Sequence, residues 1–214
     1  FLSKLRCFDK TYITDEDKIR GNLYKSESKR TKLKQQLKSL SDWIKTLDLT
    51  IIIENIKNEN TPRAVQLLNK TNQMNLSTRR LNEREFNKWV QEDKNNLWTI
   101  RAADKFGDYG IVGIFSISIK DNIATLVDFI LSCRVVGRYI EETMIEFLKE
   151  FCYENNVNKI KGKYKKTEKN SLCYYFFNKL KLIDSNQHSF EFSSNQKKLN
   201  LLNIKVKKPT MEKK

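Results

Sequence analysis

Histidine is almost missing from this chain: His188 is the single imidazole in 214 residues. A His-dependent nucleophile would have to use that one ring, which sits in a polar, turn-like stretch, so such triads are disfavoured. The four cysteines, Cys7, Cys133, Cys152 and Cys173, form no C-x-x-C pair. With one imidazole and no cysteine pair, zinc is disfavoured and no metal is expected. Reduced thiols fit better than a disulfide framework. Long apolar runs are missing too. None nears the roughly 18 residues that span a bilayer, so no membrane partner is expected. The chain begins Phe1-Leu2-Ser3, without an initiator Met or a basic n-region. It therefore reads as a fragment of a cytoplasmic protein, with no signal peptide.

Acidic residues are scarce beside basic ones, 26 against 41, giving a formal charge of +15. Such a surplus points to an acidic partner, either nucleic acid or an acidic protein. No helix-turn-helix, zinc or RNP pattern accompanies it, so nucleic acid is ranked last. Lys and Asn abound throughout, and a diffuse lysine surface also serves solvation alone. A 39% hydrophobic fraction over this length suits one large domain, or a domain with an appendage.

Thr14 or Asp15 can cap a first helix. Lys18 to Leu47 then reads as one long basic helix, from which Ser41-Asp42 can cap a short piece, Trp43 to Leu47. Its lysines make either a patch for an acidic partner or the solvated face of a connector. Thr50-Ile51-Ile52-Ile53 is a β-branched strand. Pro62 opens the next helix, whose stripe includes Val65, Leu67 and Leu68. The stretch from Asn69 to Arg80 is dense in carboxamides and hydroxyls, which suit a polar ligand or cap their own turn. Asn82 caps a helix through Phe86 and Trp89. Strands follow at Leu97–Ala103, Ile111–Ile119 and Ala124–Cys133, with Gly113 marking a bulge or a close backbone approach. A helix from about Val136 to Tyr153, a strand from Lys159 to Tyr164 and a helix from Asn170 to Leu180 come next. Strands at Ser189–Ser193 and Leu199–Val206 end the order. The result is an α/β chain: a central mixed, mostly antiparallel sheet flanked by helices. Residues 1–47 form a helical appendage, 48–206 the domain and 207–214 a frayed basic tail.

The pivot is the junction from Leu131 to Glu142, where a strand, a basic turn and a helix succeed one another. A helix N-terminus offers free N–H groups and the positive end of the macrodipole, and so can hold a phosphate. The turn Arg134-x-x-Gly137-x-Tyr139 resembles the Q/R-x-x-G-x-G/A pyrophosphate loop of GNAT-type acyltransferases, with Tyr139 where that pattern has Gly or Ala. An ordinary strand-to-helix turn is the competing reading.

Four segments extend the resemblance: Leu68 to Arg80, Ala103 to Asp108, Leu131 to Arg138, and Gly162-x-Tyr164-x-x-Thr167-x-Lys169-Asn170. Together, over roughly residues 50–183, they look like the carboxy-terminal GNAT-like part of the FkbH-like family. Residues 5–47 look like the end of that family's haloacid-dehalogenase-like (HAD) phosphatase domain and its linker, through Leu5-x-Cys7-Phe8-Asp9 and Thr14-x-Glu16-Asp17. No D-x-D-x-T motif is present, so the resemblance puts the phosphatase centre in an upstream HAD-like domain. The family is similar to enzymes that load a glyceryl unit from 1,3-bisphosphoglycerate onto an acyl carrier protein for methoxymalonyl-type extender synthesis in polyketide pathways. Lys166 stands where the family tends to have Pro. Phe177 and Lys181 interrupt an F-Y-x-x-L-G-F ending, and Tyr174 or Tyr175 would have to replace the missing hydroxyl.

The resemblance implies a GNAT-like fold and acyl transfer to or from a carrier-bound phosphopantetheine, or coenzyme A. The arm would lie beside the strand ending at Cys133. The N–H groups of Val136, Gly137 and Arg138 and the side chains of Arg134 and Arg138 would meet its phosphate. Cys133 could carry the acyl group, its thiolate favoured at a helix N-terminus beside two arginines. It is equally a small core residue. Asp104, Asp108 and Asp128 are candidates for a base or hydroxyl ligand. The first two read as well as turn caps, the third as a sheet-buried partner. Asn72, Gln73 and Asn75 are candidates for the glyceryl hydroxyls, with Arg79, Lys169 and Asn170 from the resembling segments completing the substrate set. A non-catalytic module that binds the carrier or its arm is the alternative.

Overall fold

The computed structural model describes residues 15–37, 39–180, 183–184, 189–195 and 204–211. His188, Cys7 and most of the expected Leu199–Val206 strand lie outside these residues.

Six helices and nine strands are described. Two helices come first, α1 (Asp15–Gln36) and α2 (Leu40–Leu47). The spacing predicts one helix here, with Ser41-Asp42 as a possible inner cap. The cap is instead Ser39, whose hydroxyl accepts from the Asp42 amide at 3.1 Å. Among its described side chains, α1 is held by polar contacts and by Leu33 packing near Trp43. Arg30 is 1% exposed. Its Nε and Nη2 each donate to Asp104 at 2.7 Å. Ser26 donates to the Phe106 carbonyl at 2.9 Å.

β1 (Thr50–Asn55), α3 (Thr61–Lys70), the two-residue β2 (Met74–Asn75) and α4 (Glu83–Gln91) follow. Asn82 and Glu85 close a reciprocal capping box on α4. The meander β3 (Asn95–Asp104), β4 (Gly107–Lys120) and β5 (Ile123–Leu131) leads into α5 (Ile140–Glu154), β6 (Lys159–Lys163) and α6 (Ser171–Lys179). β7 (Ile183–Asp184), β8 (Ser189–Ser193) and β9 (Lys205–Lys207) end the description.

The strands form one sheet in the order β7-β8-β6-β5-β4-β3-β1-β9, with β2 added to β5. All pairs are antiparallel except β5–β6 and β1–β9. The crossover through α5 permits the parallel β5–β6 pair. Period-two alternation splits the apolar side chains between two faces. Ile111, Ile114 and Ile130 pack with Leu68 of α3 and Phe86 of α4. Trp98, Phe115 and Phe129 pack with Phe147 and Phe151 of α5 and Phe177 of α6 on the other side. Trp98 stacks on Phe115 at 5.2 Å and meets Phe151 edge-on at 4.8 Å. This is the α/β layering expected from the sequence, a mixed, mostly antiparallel sheet flanked by helices. Among the described residues no helix is long and apolar enough to cross a membrane.

Two details position the site. Gly113 pairs with Ile100 and Ile111 with Arg101, so Val112 is an extra, bulged residue. A Cβ on Gly113 would stand 2.8 Å from the Ile130 carbonyl, which is the close approach expected there. Secondly, β5 pairs with β6 only over Ile123–Leu126, and β2 takes the same edge at Ile130 and Leu131. The opening between β5 and β6 is therefore bridged by Met74 to Leu76, with the Leu76 amide donating to Phe129 and its carbonyl accepting from Lys165.

Candidate functional site

β5 ends at Leu131, and the Ser132 amide donates to the carbonyl of bulged Val112 at 2.7 Å. Cys133–Val135 form a single 3-10 turn, and Gly137 and Tyr139 take left-handed φ values of 76° and 61°. Such angles are excluded from a right-handed helix, so α5 starts at Ile140 rather than near Val136. Two expectations are corrected here. Cys133 does not sit on the N-terminus of α5 and gains no macrodipole from it. The Gly137 amide is not open to a phosphate, because it donates to Glu141 Oε1 at 2.8 Å. Glu141 is 3% exposed, and its Oε2 has no partner among the described residues. Burial pushes this carboxyl up to about 7, against the opposing pull of the Gly137 amide.

Cys133 itself is exposed and lies on the wall shared by two cavities. The larger, about 1350 Å³, is lined by Arg63, Lys70, Asn72, Gln73, Asp108 and Lys169, among others. The smaller, about 800 Å³, lies under α1 and α2, against Lys34, Leu40, Trp43, Val136, Gly137 and Arg138. Tyr109, Cys133 and Arg134 belong to both.

The larger cavity thus brings together Cys133, Arg134, Asn72, Gln73, Asp108 and Lys169. Other predicted site residues are committed elsewhere. Asp104 has a fully buried carboxylate that accepts from Arg30, from the Tyr109 hydroxyl at 2.7 Å and from the Phe106 amide at 2.9 Å. Burial alone would raise its pKa, but those hydrogen bonds outweigh burial and hold it below the ordinary value. Asp128 is equally enclosed. It accepts from Ser116 at 2.6 Å, Ser77 at 3.1 Å and Arg79 Nε at 2.8 Å, with Arg79 Nη2 completing a fork. Both aspartates are ion-pair anchors, not bases. Arg79 is spent on that pair and on the Trp89 ring, 4.3 Å from its Cζ.

Arg138 is 3% exposed and donates to Glu27 at 3.2 Å and to the Tyr109 hydroxyl, so it is no free phosphate ligand. Asn75 and Asn170 are fully buried in turn architecture. Asn75 bridges the Thr71 carbonyl and the Thr78 amide. Asn170 donates to the carbonyls of Asn75 and Lys165, and accepts from the Tyr164 hydroxyl and the Thr167 amide. Phe177 is core, and neither Tyr174 nor Tyr175 lines either cavity. Among the described residues no group of three His, Cys, Asp or Glu side chains could hold a metal.

The residues that sequence reading missed are Arg63, Arg101, Tyr109 and Trp43. Arg63, Gln66 and Lys70 recur at spacings of three and four along α3, a polar stripe that was visible. Nothing local marks Tyr109 or Trp43; the tertiary fold brings them in.

No protein-family model matches the chain, and no curated protein does either. Its likeness is to solved structures. A domain from Methanocaldococcus jannaschii DSM 2661 is 15% identical, covering 68% of this chain and 99% of its own, with a TM-score of 0.52. A GNAT-family acetyltransferase from Staphylococcus aureus Mu50 is 11% identical over 68% of this chain and 100% of its own, with a TM-score of 0.51. Spermidine N-acetyltransferase from Vibrio cholerae, solved with CoA and spermine, is 9% identical over 69% and 97%, with a TM-score of 0.52. At these identities the likeness establishes the fold, and that fold is the GNAT acetyltransferase fold.

Proposed function

We propose that this chain is an acyl-transfer module that works with the phosphopantetheine arm of an acyl carrier protein, as the resemblance to FkbH-like proteins implies. One observation carries the reading: an exposed thiol, Cys133, lies on the wall shared by a cavity of mixed polarity and a mostly apolar one. The edge of β5 is filled by β2, so the arm reaches Cys133 from the smaller cavity rather than along that strand. Leu40, Trp43 and Val136 suit its methylenes, and Lys34 and Arg134 suit its phosphodiester. The fit of a CoA-type group is supported by that lining and by the Vibrio relative solved with CoA. Asn72 and Gln73 would read the hydroxyls of a glyceryl-type acyl group in the larger cavity.

In the step assigned to this chain, Cys133 Sγ attacks the thioester carbonyl carbon of the loaded arm. A new C–S bond forms at Cys133 and the old one breaks. The electron pair leaves with the arm's sulfur, which takes up a proton equal to the one Cys133 lost to water. The surplus of positive charge would steer an acidic carrier toward the site.

Intact-mass measurement after mixing with a glyceryl-loaded carrier tests this. An adduct one glyceryl unit heavier is expected on the parent chain and on Cys152→Ala, and none on Cys133→Ala. An undiminished adduct on Cys133→Ala refutes the role of Cys133.

A second reading is a non-catalytic module that only holds the carrier. It is favoured by one observation: among the described residues no basic side chain hydrogen-bonds Cys133. Capture of the carrier by both parent and Cys133→Ala, with no adduct on either, selects it.

A further inference from the structure

The larger cavity contains a feature that the attack by Cys133 does not use. Arg63 and Arg134 both project into it. Arg63 is held by Nε donating to the Ile111 carbonyl at 3.2 Å and by Nη1 donating to Gln66. Arg134 is held by Nε donating to Ser132 at 3.4 Å. Neither guanidinium has a carboxylate partner among the described residues. Arg63 Nη2 and both amino groups of Arg134 are left without protein acceptors there. Two acids line the same cavity. Asp108 is occupied by the Gly110 amide at 2.6 Å, and Glu168 pairs with neither arginine. Lys70 and Lys169 add further positive charge.

Arg63 is partly withdrawn from water, and an anion seated between it and the exposed Arg134 would offset the repulsion of two like charges in one concave space. The arginines feel each other: burial first, and Arg134 second, pull the Arg63 guanidinium below its ordinary value. Elsewhere in this chain a buried arginine receives a carboxylate, Asp104 for Arg30 and Asp128 for Arg79. Arg63, half-buried, and the exposed Arg134 have no such carboxylate among the described residues, and both line the same cavity.

We infer that Arg63 and Arg134 form a seat for a phosphate-type dianion in the larger cavity, with Lys70 and Lys169 at its rim. A guanidinium presents a planar fork that matches two oxygens of a tetrahedral anion, and two forks match a charge of about −2 better than a single carboxylate does. The seat needs no thiol and does not depend on acyl transfer. A phosphate group here has two possible sources, a phosphate monoester or free phosphate on the one hand and the phosphodiester of a carrier arm on the other. The diester carries only one negative charge.

Calorimetric titration of the full chain with methyl phosphate, dimethyl phosphate and acetate at constant ionic strength separates these. Methyl phosphate is expected to bind at pH 7.5 more tightly than either monoanion. Its binding should weaken as pH falls through the monoester's second pKa of about 6. Arg63→Gln and Arg134→Gln should each weaken it about tenfold or more. Lys120→Gln, on an exposed strand end away from the cavity, should not. Arg63→Lys, which keeps the charge and loses the fork, should fall between the parent and Arg63→Gln, provided each variant melts as the parent does. Equal or tighter binding of dimethyl phosphate, an equal loss in Lys120→Gln, or no binding of methyl phosphate would each overturn the inference.

Discussion

Glu141 and Asp104 show how single buried acids set the response to pH in opposite directions. Burial raises the Glu141 carboxyl from 4.5 to about 7, so the folded chain holds that proton more tightly than the unfolded chain. Its penalty is absent below about pH 4.5 and grows to its full size as pH rises to about 7. The expected magnitude is on the order of 3 kcal/mol. Glu141→Gln keeps an oxygen for the Gly137 amide and removes the charge. Urea unfolding at pH 5 and pH 8 should then show a smaller loss of stability with pH than in the parent; an unchanged slope would clear Glu141. For Asp104 the sign reverses. Its folded pKa lies below the ordinary 3.8, so its stabilisation is present above that value and is lost as pH falls through the lowered one. Arg30→Ala and Asp104→Ala each remove one half of a buried ion pair and should cost about 3–5 kcal/mol at neutral pH. The double variant should cost less than the sum, and strict additivity would mean the pair is not coupled.

At the scale of elements, most of the fold was legible. Thr50-Ile51-Ile52-Ile53, Pro62 and the Asn82-Glu85 pair each carry a local signal strong enough to fix an element or its end. β2 was not legible, because two residues paired to a strand 55 and 57 positions away have no local pattern. The start of α5 was missed because the left-handed turn at Gly137 and Tyr139 is set by packing; Tyr139 rests against Trp43 and its neighbours. The candidate site divides the same way. Cys133, Arg134, Asn72 and Gln73 were readable as reactive or polar groups in loops. The fates of Asp104 and Asp128 depended on arginines 74 and 49 positions away, which no spacing reveals. Asn170 ties β2 to the loop that follows β6. Asn170→Ala abandons the carbonyls of Asn75 and Lys165 and should cost about 1–3 kcal/mol. Amide exchange at Leu76 and Lys165 should quicken more than at Trp98; protection lost evenly across the sheet would argue against this local role.

For the molecule as a whole, charge governs encounter rather than fold. With +15 over 214 residues, association with the proposed acidic carrier protein should slow about tenfold as ionic strength rises from roughly 0.05 to 0.5 M, while dissociation changes little. Stopped-flow measurement checks this, and a salt-independent association rate would remove electrostatic steering from the account.

The two outermost strands described here have a further consequence. β7 is two residues long and β9 is Lys205-Val206-Lys207, so each flank of the sheet presents a short border, and one of them is lysine-rich. Among the described residues, a foreign extended segment finds few free backbone groups on β7 and β9, and any second copy meets the ammonium groups of Lys205 and Lys207. Concentrated solutions of this protein should therefore resist fibrillation, and replacing Lys205 and Lys207 with valine should be the shortest route to thioflavin-positive aggregates.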